Sequence, residues 1–271
     1  MVTLSDVKWA PVDKDTKLAY RTSGRGPLNV LFMHGWGGSG AYFDEVLSFL
    51  NLDGIRAITY DLRGHGASDK PQDGYTLDHI AQDAIAVADH ASAADFVVVG
   101  FSMSAKFAQY LATMYPERVL GLILVAAFPA TEIPFPVETR YDWVGRAGDR
   151  ERLIEVTSMF LSQPVQSEIL DRWGDDAIKI PAFVLDETLK TACETSFGDR
   201  LSALQMRTLV VAGEHDPLYP PDLVASTIVR PLPHARLATL DCNHEIPIEK
   251  PRELAAIIRA FVSELAGSLY P

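Results

Sequence analysis

Short apolar runs alternate along the chain with segments in which apolar residues recur at helical spacing. Short apolar runs rich in β-branched residues, most of them bounded by Gly or Pro, predict buried strands at Leu28–Met33, Ile55–Tyr60, Phe96–Val99 and Val119–Val125. Two further strands are expected at Thr208–Val211 and Arg236–Leu240. Helical spacing lies at Ala41–Leu50, Leu77–His90 and Met103–Tyr115, and a last helix is expected from Pro251 to Gly267. Two extended stretches near the start, around Val7–Trp9 and Lys17–Arg21, predict a hairpin. This alternation is typical of an α/β protein with a mostly parallel, doubly wound sheet.

One segment interrupts the alternation. Between about residues 129 and 203 the pattern has helical spacing at Arg150–Leu161, Val165–Lys179 and Ala182–Thr195, and no convincing strand. We therefore expect a core made of residues 1–128 and 204–271, with residues 129–203 inserted as a helical cap.

Composition narrows the range of partners. The net charge of −12 repels phosphate backbones and anionic membrane surfaces, so we expect neither nucleic acid nor a membrane as a partner. The longest apolar stretch, Val119–Phe128, is shorter than the roughly 20 residues that span a bilayer. Met1–Asp6 lacks the basic and apolar regions of a secretory signal, and Cys193 and Cys242 are too few for a disulfide scaffold or a cysteine metal site. These features predict a soluble, cytoplasmic protein.

A serine lies where a strand turns directly into a helix, in Gly100-Phe101-Ser102-Met103-Ser104. Such a turn pushes the serine clear of the backbone, and the helix N-terminus directs free N–H groups towards an oxyanion beside it. The turn is crowded two residues to either side, where Gly100 and Ser104 are small. We interpret Ser102 as a nucleophile; the alternative is a serine that only caps the helix.

A nucleophilic serine needs a base, and the base needs an acid to orient it. His244 follows the strand Arg236–Leu240 and Asp216 follows Thr208–Val211. Both therefore lie in loops at the same edge of the sheet as Ser102. Glu214, on the same loop as Asp216, is the alternative acid.

A glycine-rich run, His34-Gly35-Trp36-Gly37-Gly38, follows the strand Leu28–Met33. It lacks the lysine of the G-x-x-x-x-G-K-[ST] phosphate-binding pattern, since Ala41 follows Gly40. The backbone N–H groups of Trp36 and Met103 would together form an oxyanion hole. We expect His34 to be a structural hydrogen-bonding residue.

These motifs, with the segment Asp61–Ser68, resemble the α/β-hydrolase superfamily over almost the whole chain, and Ser102, Asp216 and His244 follow its chain order. Trp36 with Phe101-Ser102-Met103 resembles the bacterial aryl esterases and cofactor-free haloperoxidases or perhydrolases. The resemblance implies that the backbones of Trp36 and Met103 hold the oxyanion and that Asp61–Ser68 is structural. Ser104 departs from the usual Gly-x-Ser-x-Gly and is similar to the sensor branch, which includes the karrikin and strigolactone receptors.

The sequence thus predicts a serine hydrolase that cleaves an ester, lactone or thioester of a small, largely apolar substrate, without a metal or organic cofactor. Aromatic residues of the cap are expected to line its pocket: Phe135, Trp143, Phe160, Trp173 and Phe183. Two alternatives stay open: a small-ligand sensor with vestigial hydrolysis, and a meta-cleavage-type C–C hydrolase, although Glu245 stands where those enzymes often carry tryptophan. The sequence leaves the oligomeric state open.

Overall fold

The computed structural model describes residues 5–269, with the side chains of residues 5–267. Residues 1–4, 270 and 271 lie outside the described residues. The expectation that no secretory signal is present concerns Met1–Asp6 and therefore falls mostly outside them. Within the described part of the chain, no helix combines the length and the apolar character needed to cross a membrane.

The described strands form a single sheet. In chain order they are β1 (Lys8–Pro11), β2 (Lys17–Gly24), β3 (Leu28–Met33), β4 (Ile55–Tyr60), β5 (Phe96–Phe101), β6 (Val119–Val125), β7 (Arg207–Gly213) and β8 (Ala235–Leu240). Their order across the sheet is β1-β2-β4-β3-β5-β6-β7-β8. β2 is antiparallel to both β1 and β4, whereas every other neighbouring pair is parallel. The prediction of an α/β fold with a mostly parallel sheet is confirmed.

Helices connect the strands. In chain order they are α1 (Asp44–Phe49), α2 (Leu77–His90), α3 (Met103–Met114), α4 (Val137–Val144), α5 (Arg150–Ser158), α6 (Ser167–Ala177), α7 (Ala182–Glu194), α8 (Pro221–Val224), α9 (Ile246–Glu249) and α10 (Pro251–Leu269). Short 3₁₀ helices lie at Gly40–Phe43 and Gly198–Ala203, and a π turn at Ala225–Val229.

The sequence pattern missed α4, α8 and α9. The last two are a single turn long, and α4 buries no side chain, so none of them shows the apolar stripe that marks a helix. The expected end of the last helix at Gly267 was also wrong, because α10 continues to Leu269. Gly267 does not adopt the positive φ with which a glycine ends a helix.

Both faces of the parallel sheet are buried in its inner strands, whereas the edge strand β8 is partly exposed. In β3, Val30 and Phe32 belong to the core under α1 and α10, whereas Leu31 and Met33 belong to the core under α2 and α3. A strand that is covered on both faces reads as a continuous apolar run. For this reason the parallel strands were recognisable in the sequence.

The carboxyl ends of the parallel strands meet at one edge of the sheet. The loops after β3, β5, β7 and β8 carry the glycine-rich run, Ser102, Asp216 and His244. Residues 129–203, here called the helical segment, follow β6 and contain α4 to α7 and no strand. The topology therefore brings the four sequence motifs to the same edge.

A buried lysine joins the helical segment to the sheet. Lys106 on α3 has no exposed surface, and its Nζ donates to the carbonyls of Thr131 (2.9 Å), Ala192 (2.6 Å) and Thr195 (2.6 Å). Ala192 and Thr195 lie at the end of α7, where the last carbonyls have no partner within a helix. Burial lowers the pKa of Lys106 to about 8. This lysine therefore caps α7 from inside the protein.

We predict that Lys106→Met destabilises the fold, because carbonyls in partly or fully buried positions lose their donor. Loss of the buried charge offsets part of this cost, so the free energy of unfolding should fall by about 2 kcal/mol. Tm should fall by about 2–4 °C for each kcal/mol. Thermal and denaturant melts measure both quantities.

The matched control is Lys190→Met, the same substitution at a position on α7 whose side chain is 47% exposed. Its effect should stay within about 0.5 kcal/mol. Equal stability of the two variants would contradict the capping role of Lys106.

Candidate active site

The turn between β5 and α3 holds Ser102 in an unusual backbone conformation. Its φ is 54° and its ψ is −120°, a region that residues other than glycine rarely occupy. The N–H of Ser102 donates to the carbonyl of Val125 (2.8 Å), and its carbonyl accepts from Ala105 (2.9 Å). Gly100 has to lack a side chain, because a Cβ there would lie 2.6 Å from the carbonyl oxygen of Ser104. The sharp turn expected from the sequence is present.

Ser102, His244 and Asp216 form a hydrogen-bonded relay. The Oγ of Ser102 lies 2.8 Å from Nε2 of His244, and Nδ1 of His244 lies 2.7 Å from Oδ2 of Asp216. The second oxygen of Asp216 accepts the backbone N–H groups of Leu218 (2.8 Å) and Tyr219 (3.0 Å). These bonds fix the carboxylate, which in turn fixes the imidazole.

Burial and pairing act against each other in the relay. Burial disfavours the imidazolium of His244, but the charge and hydrogen bond of Asp216 outweigh burial, so the pKa of His244 is raised. Burial likewise opposes the charge of Asp216, but His244 and the two backbone N–H groups hold the pKa of this carboxyl below its usual range. The relay therefore favours an imidazolium next to a carboxylate, the state that would form if Ser102 gave its proton to His244.

Glu214, the alternative acid, lies on the surface. It accepts a hydrogen bond from the hydroxyl of Thr239 (3.1 Å), and no contact with His244 is found among the described residues. Glu214, His215 and Asp241 are the one group of three potential metal ligands in residues 5–269, with ligand atoms within 4.8 Å of one another. All three are exposed and none lines the cavity beside Ser102.

The loop after β3 packs directly on the serine turn. A Cβ on Gly35 would lie 2.9 Å from the ring of Phe101 and 3.3 Å from Cβ of Ser102, so only glycine allows this approach. The next residue is Trp36, whose indole Nε1–H donates to the carbonyl of Leu185 (2.9 Å) on α7. Met103 is the first residue of α3, where a backbone N–H has no partner within the helix. The two backbone segments expected to bind an oxyanion thus meet at Ser102.

Ser104 and His34 support this loop. The hydroxyl of Ser104 donates to the carbonyl of His34. The Nε2 of His34 accepts the N–H of Leu62 (3.0 Å), and its Nδ1 lies 2.8 Å from the carbonyl oxygen of Gly35. Burial lowers the pKa of His34 to about 4, so its ring is neutral. Both side chains make structural contacts.

The Asp61–Ser68 segment is also engaged in structural contacts. The carboxylate of Asp61 accepts the N–H groups of Gly40 (2.7 Å) and Ala67 (2.8 Å). Arg63 forms a buried ion pair with Asp83 (2.6 Å). These bonds fix the loop that follows β4.

Ser102 and His244 open onto a mainly apolar cavity with about 570 Å³ of atom-free space, part of it open to solvent. The helical segment contributes aliphatic, aromatic and hydroxyl side chains to its wall: Phe135, Trp143, Val156, Thr157, Phe160, Trp173 and Leu189. The sheet domain contributes Gly35, Trp36, Gly38, Tyr42, Phe101, Phe128, Leu218 and Glu245. Such a cavity suits a small apolar ligand.

Phe183, which was expected in this wall, lies elsewhere. Its ring packs edge-on against Tyr75, with the centroids 6.1 Å apart. α7 presents Leu189 to the cavity, and residues six apart on a helix are rotated by about 240°. Phe183 therefore lies on a different side of α7.

The sequence analysis did not identify Tyr42 and Glu245 as cavity residues. Glu245 is buried, and the hydroxyl of Tyr42 donates to its Oε2. Burial raises the pKa of Glu245 to about 7, although His244 and Tyr42 act in the opposite direction. The position of Glu245 next to His244 was a usable signal, whereas nothing in the sequence around Tyr42 marked it.

Comparison with known proteins agrees with the fold and the motifs. A family model described as the alpha/beta hydrolase fold matches residues 29–157. The chain is 31% identical over 242 residues to a non-heme haloperoxidase of Rhodococcus erythropolis, covering 82% of this chain and 86% of that protein. It is 26% identical over 259 residues to 3-oxoadipate enol-lactonase 2 of Acinetobacter baylyi, covering 91% and 93%.

Solved structures give the same result for the fold. A bromoperoxidase from Bacillus anthracis superposes with a TM-score of 0.87 at 21% identity, covering 95% of this chain and 100% of that one. The resemblance inferred from the sequence motifs is confirmed. This chain belongs to the α/β-hydrolase family.

Proposed function

We propose that the protein is a serine hydrolase that cleaves a carboxylic ester, a lactone or a thioester of a small, largely apolar molecule. The observation that carries this proposal is the relay from Ser102 through His244 to Asp216, with bonds of 2.8 Å and 2.7 Å, at the wall of an apolar cavity. The similarity to an enol-lactonase over 91% of the chain supports ester chemistry.

In the first half of the proposed reaction, Ser102 Oγ attacks the ester carbonyl while Nε2 of His244 takes its proton. Asp216 keeps the proton of His244 on Nδ1, so that Nε2 is free to act as the base. The N–H groups of Trp36 and Met103 stabilise the negative oxygen that forms on the carbonyl. His244 then protonates the leaving alcohol, and the acyl group stays on Ser102.

In the second half, water replaces the alcohol. His244 removes a proton from this water, which attacks the acyl-enzyme and releases the acid. The same oxyanion hole stabilises the second tetrahedral intermediate. The proposed steps use protein groups and water only.

We assign the helical segment the role of a cap over the site, so that residues 129–203 divide the core into residues 1–128 and 204–271. Its support is the contribution of the segment to the cavity wall, including Trp143, Phe160 and Trp173. Trp36 and Leu185 bond the cap to the oxyanion loop. A pocket shared by cap and core excludes much of the solvent from the reacting centre.

Ser104, which suggested a sensor, is compatible with an enzyme. Its hydroxyl donates to the carbonyl of His34, and no hydrogen bond between this hydroxyl and Ser102 or His244 is found among the described side chains. This bond joins the first turn of α3 to the loop after β3. We therefore favour turnover over a purely ligand-binding role.

We predict that an organophosphonate labels the protein once, on Ser102, and that p-nitrophenyl acetate turns over with a kcat of about 1–10³ s⁻¹. Ser102→Ala should abolish both, whereas the exposed serine variant Ser202→Ala should match the parent. Mass spectrometry and stopped-flow absorbance measure the two effects.

Labelling of Cys242 in Ser102→Ala would refute the nucleophile. A single burst followed by silence, with aryl esters, lactones and thioesters alike, would point to a sensor. Turnover confined to vinylogous 1,5-diketones would point to a C–C hydrolase.

A second prediction assigns the acid. Asp216→Asn favours the wrong tautomer of His244 and should reduce kcat by about 10⁴, as the equivalent change does in a serine protease. Glu214→Gln alters an exposed carboxylate on the same loop and should lower kcat by less than about tenfold, which corresponds to about 1.4 kcal/mol in activation free energy. Steady-state kinetics on both variants measures kcat, and thermal melts show that both variants fold. A larger loss of kcat in Glu214→Gln than in Asp216→Asn would assign the role of the acid to Glu214.

A third prediction concerns pH. The reaction needs neutral His244, so kcat/KM should rise as pH increases through the pKa of this residue. The carboxylates of Asp216, Glu245 and Glu249 raise that pKa, so the midpoint should lie above 6.5. Residual activity of Asp216→Asn should have a lower midpoint. An acid limb centred below 6.5 in the parent enzyme would contradict this account.

A further inference from the structure

Among the described residues that line the cavity, Glu245 is the one carboxylic acid. It is only 6% exposed, and most of the wall around it is aromatic or aliphatic. Removing a carboxylate from water costs free energy unless donors pair with it. A carboxyl group in this position therefore needs partners.

The chain supplies one such donor. The hydroxyl of Tyr42 bonds to Oε2 of Glu245, and no described residue donates to Oε1. Glu245 is the N-cap residue of α9, yet its side chain makes no capping bond to that helix. Its acceptor capacity is therefore used neither by the helix it precedes nor by a second protein donor.

Glu249, four positions later, is a carboxylate of the same region in which both oxygens accept hydrogen bonds. It accepts the backbone N–H of Asn243 (3.2 Å) with one oxygen. Its other oxygen accepts the backbone N–H (2.7 Å) and the hydroxyl of Ser162. Glu249 links the His244 loop to the helical segment with both oxygens, whereas only Oε2 of Glu245 accepts a hydrogen bond from a described residue.

Glu245 lines the same cavity as Ser102 and His244. Glu245 follows His244 directly in the chain. Its partner Tyr42 stacks on Phe101, with the ring centroids 5.1 Å apart and an interplanar angle of 15°, and Phe101 precedes Ser102. Glu245, Tyr42, Phe101 and Ser102 thus belong to the wall of one cavity.

We propose that Glu245 is a specificity-determining residue that selects esters with a hydrogen-bond donor, a hydroxyl or an N–H, close to the scissile carbonyl of an otherwise apolar substrate. The inference rests on the proposed ester hydrolysis. Such a donor completes the hydrogen bonding of the carboxylate, whereas an alkyl group leaves it unpaired. Sites built to bind a substrate hydroxyl discriminate strongly against the analogue that lacks it.

The test compares methyl mandelate, as each enantiomer, with methyl phenylacetate, which differs by one hydroxyl next to the carbonyl. The parent enzyme should prefer one mandelate enantiomer in kcat/KM. Glu245→Leu should lower this preference by about 10-fold to 100-fold, and Glu245→Gln by less. The quantity compared between variants is the ratio of kcat/KM for methyl mandelate to kcat/KM for methyl phenylacetate, so the different intrinsic reactivity of the two esters cancels. A general loss of structure would lower both rates and leave this ratio unchanged.

Tyr42→Phe is the matched control. Like Glu245→Leu, it removes the hydrogen bond between Tyr42 and Glu245, but it leaves the carboxylate of Glu245 in place. It should keep the preference for mandelate. An equal loss of preference in Tyr42→Phe and Glu245→Leu, or an unchanged ratio in Glu245→Leu, would overturn the proposal. A Glu245-dependent preference for methyl benzoylformate, which carries an acceptor in place of the hydroxyl, would overturn it as well.

A binding experiment separates this inference from the proposed reaction. In a Ser102→Ala background, 1-hydroxy-1-phenylpropan-2-one should bind more tightly than 1-phenylpropan-2-one, as measured by quenching of the cavity tryptophans. Adding Glu245→Leu should remove the difference. If no ester turns over but this difference persists, the hydrolase proposal fails and the role of Glu245 stands. Ester turnover without any Glu245-dependent difference overturns the role of Glu245 alone.

Discussion

The turn at Ser102 is the constraint on which the site depends. β5 passes into α3 through one residue with φ of 54°, a conformation that costs free energy and persists because its surroundings hold it. The carbonyl of Val125 on the neighbouring strand accepts the N–H of Ser102, and Gly100 leaves room for the first turn of α3. Gly35 lets the loop after β3 close against the same point. The sheet therefore holds Ser102 and the loop after β3 against each other.

The second organising principle is the burial of charge. His244 and Asp216 are almost completely buried, and each shifts the pKa of the other towards the charged form against the effect of burial. Lys106 is buried as well, but its partners are carbonyls, which cannot offset burial to the same extent, so its pKa falls to about 8. Glu245 is similar to Lys106 in this respect, since its pKa rises to about 7. Burial thus shifts Lys106 and Glu245 towards their neutral forms, whereas mutual pairing keeps His244 and Asp216 charged.

The helical segment is tied to the sheet domain at several separate points. Lys106 binds the end of α7, the indole of Trp36 binds Leu185 within the same helix, and Glu249 binds Ser162. These ties join the segment to α3, to the loop after β3, and to α9, which directly follows the loop that carries His244. These bonds hold the helical segment, which contributes to the cavity wall, against the sheet domain.

Much of this architecture could be predicted from the sequence, because strands buried on both faces and helices with an apolar stripe have local signatures. The turn at Gly100–Ser104 and the loops that carry Asp216 and His244 could be placed for the same reason, since parallel strands carry their following loops to one edge. The tertiary structure alone decided which carboxylate reaches His244 and which side chains reach the cavity. Phe183 lies outside the cavity wall, whereas Tyr42 and Glu245 are part of it. These outcomes depend on how each helix and loop is rotated against its neighbours, and that rotation is set by contacts between residues far apart in the chain.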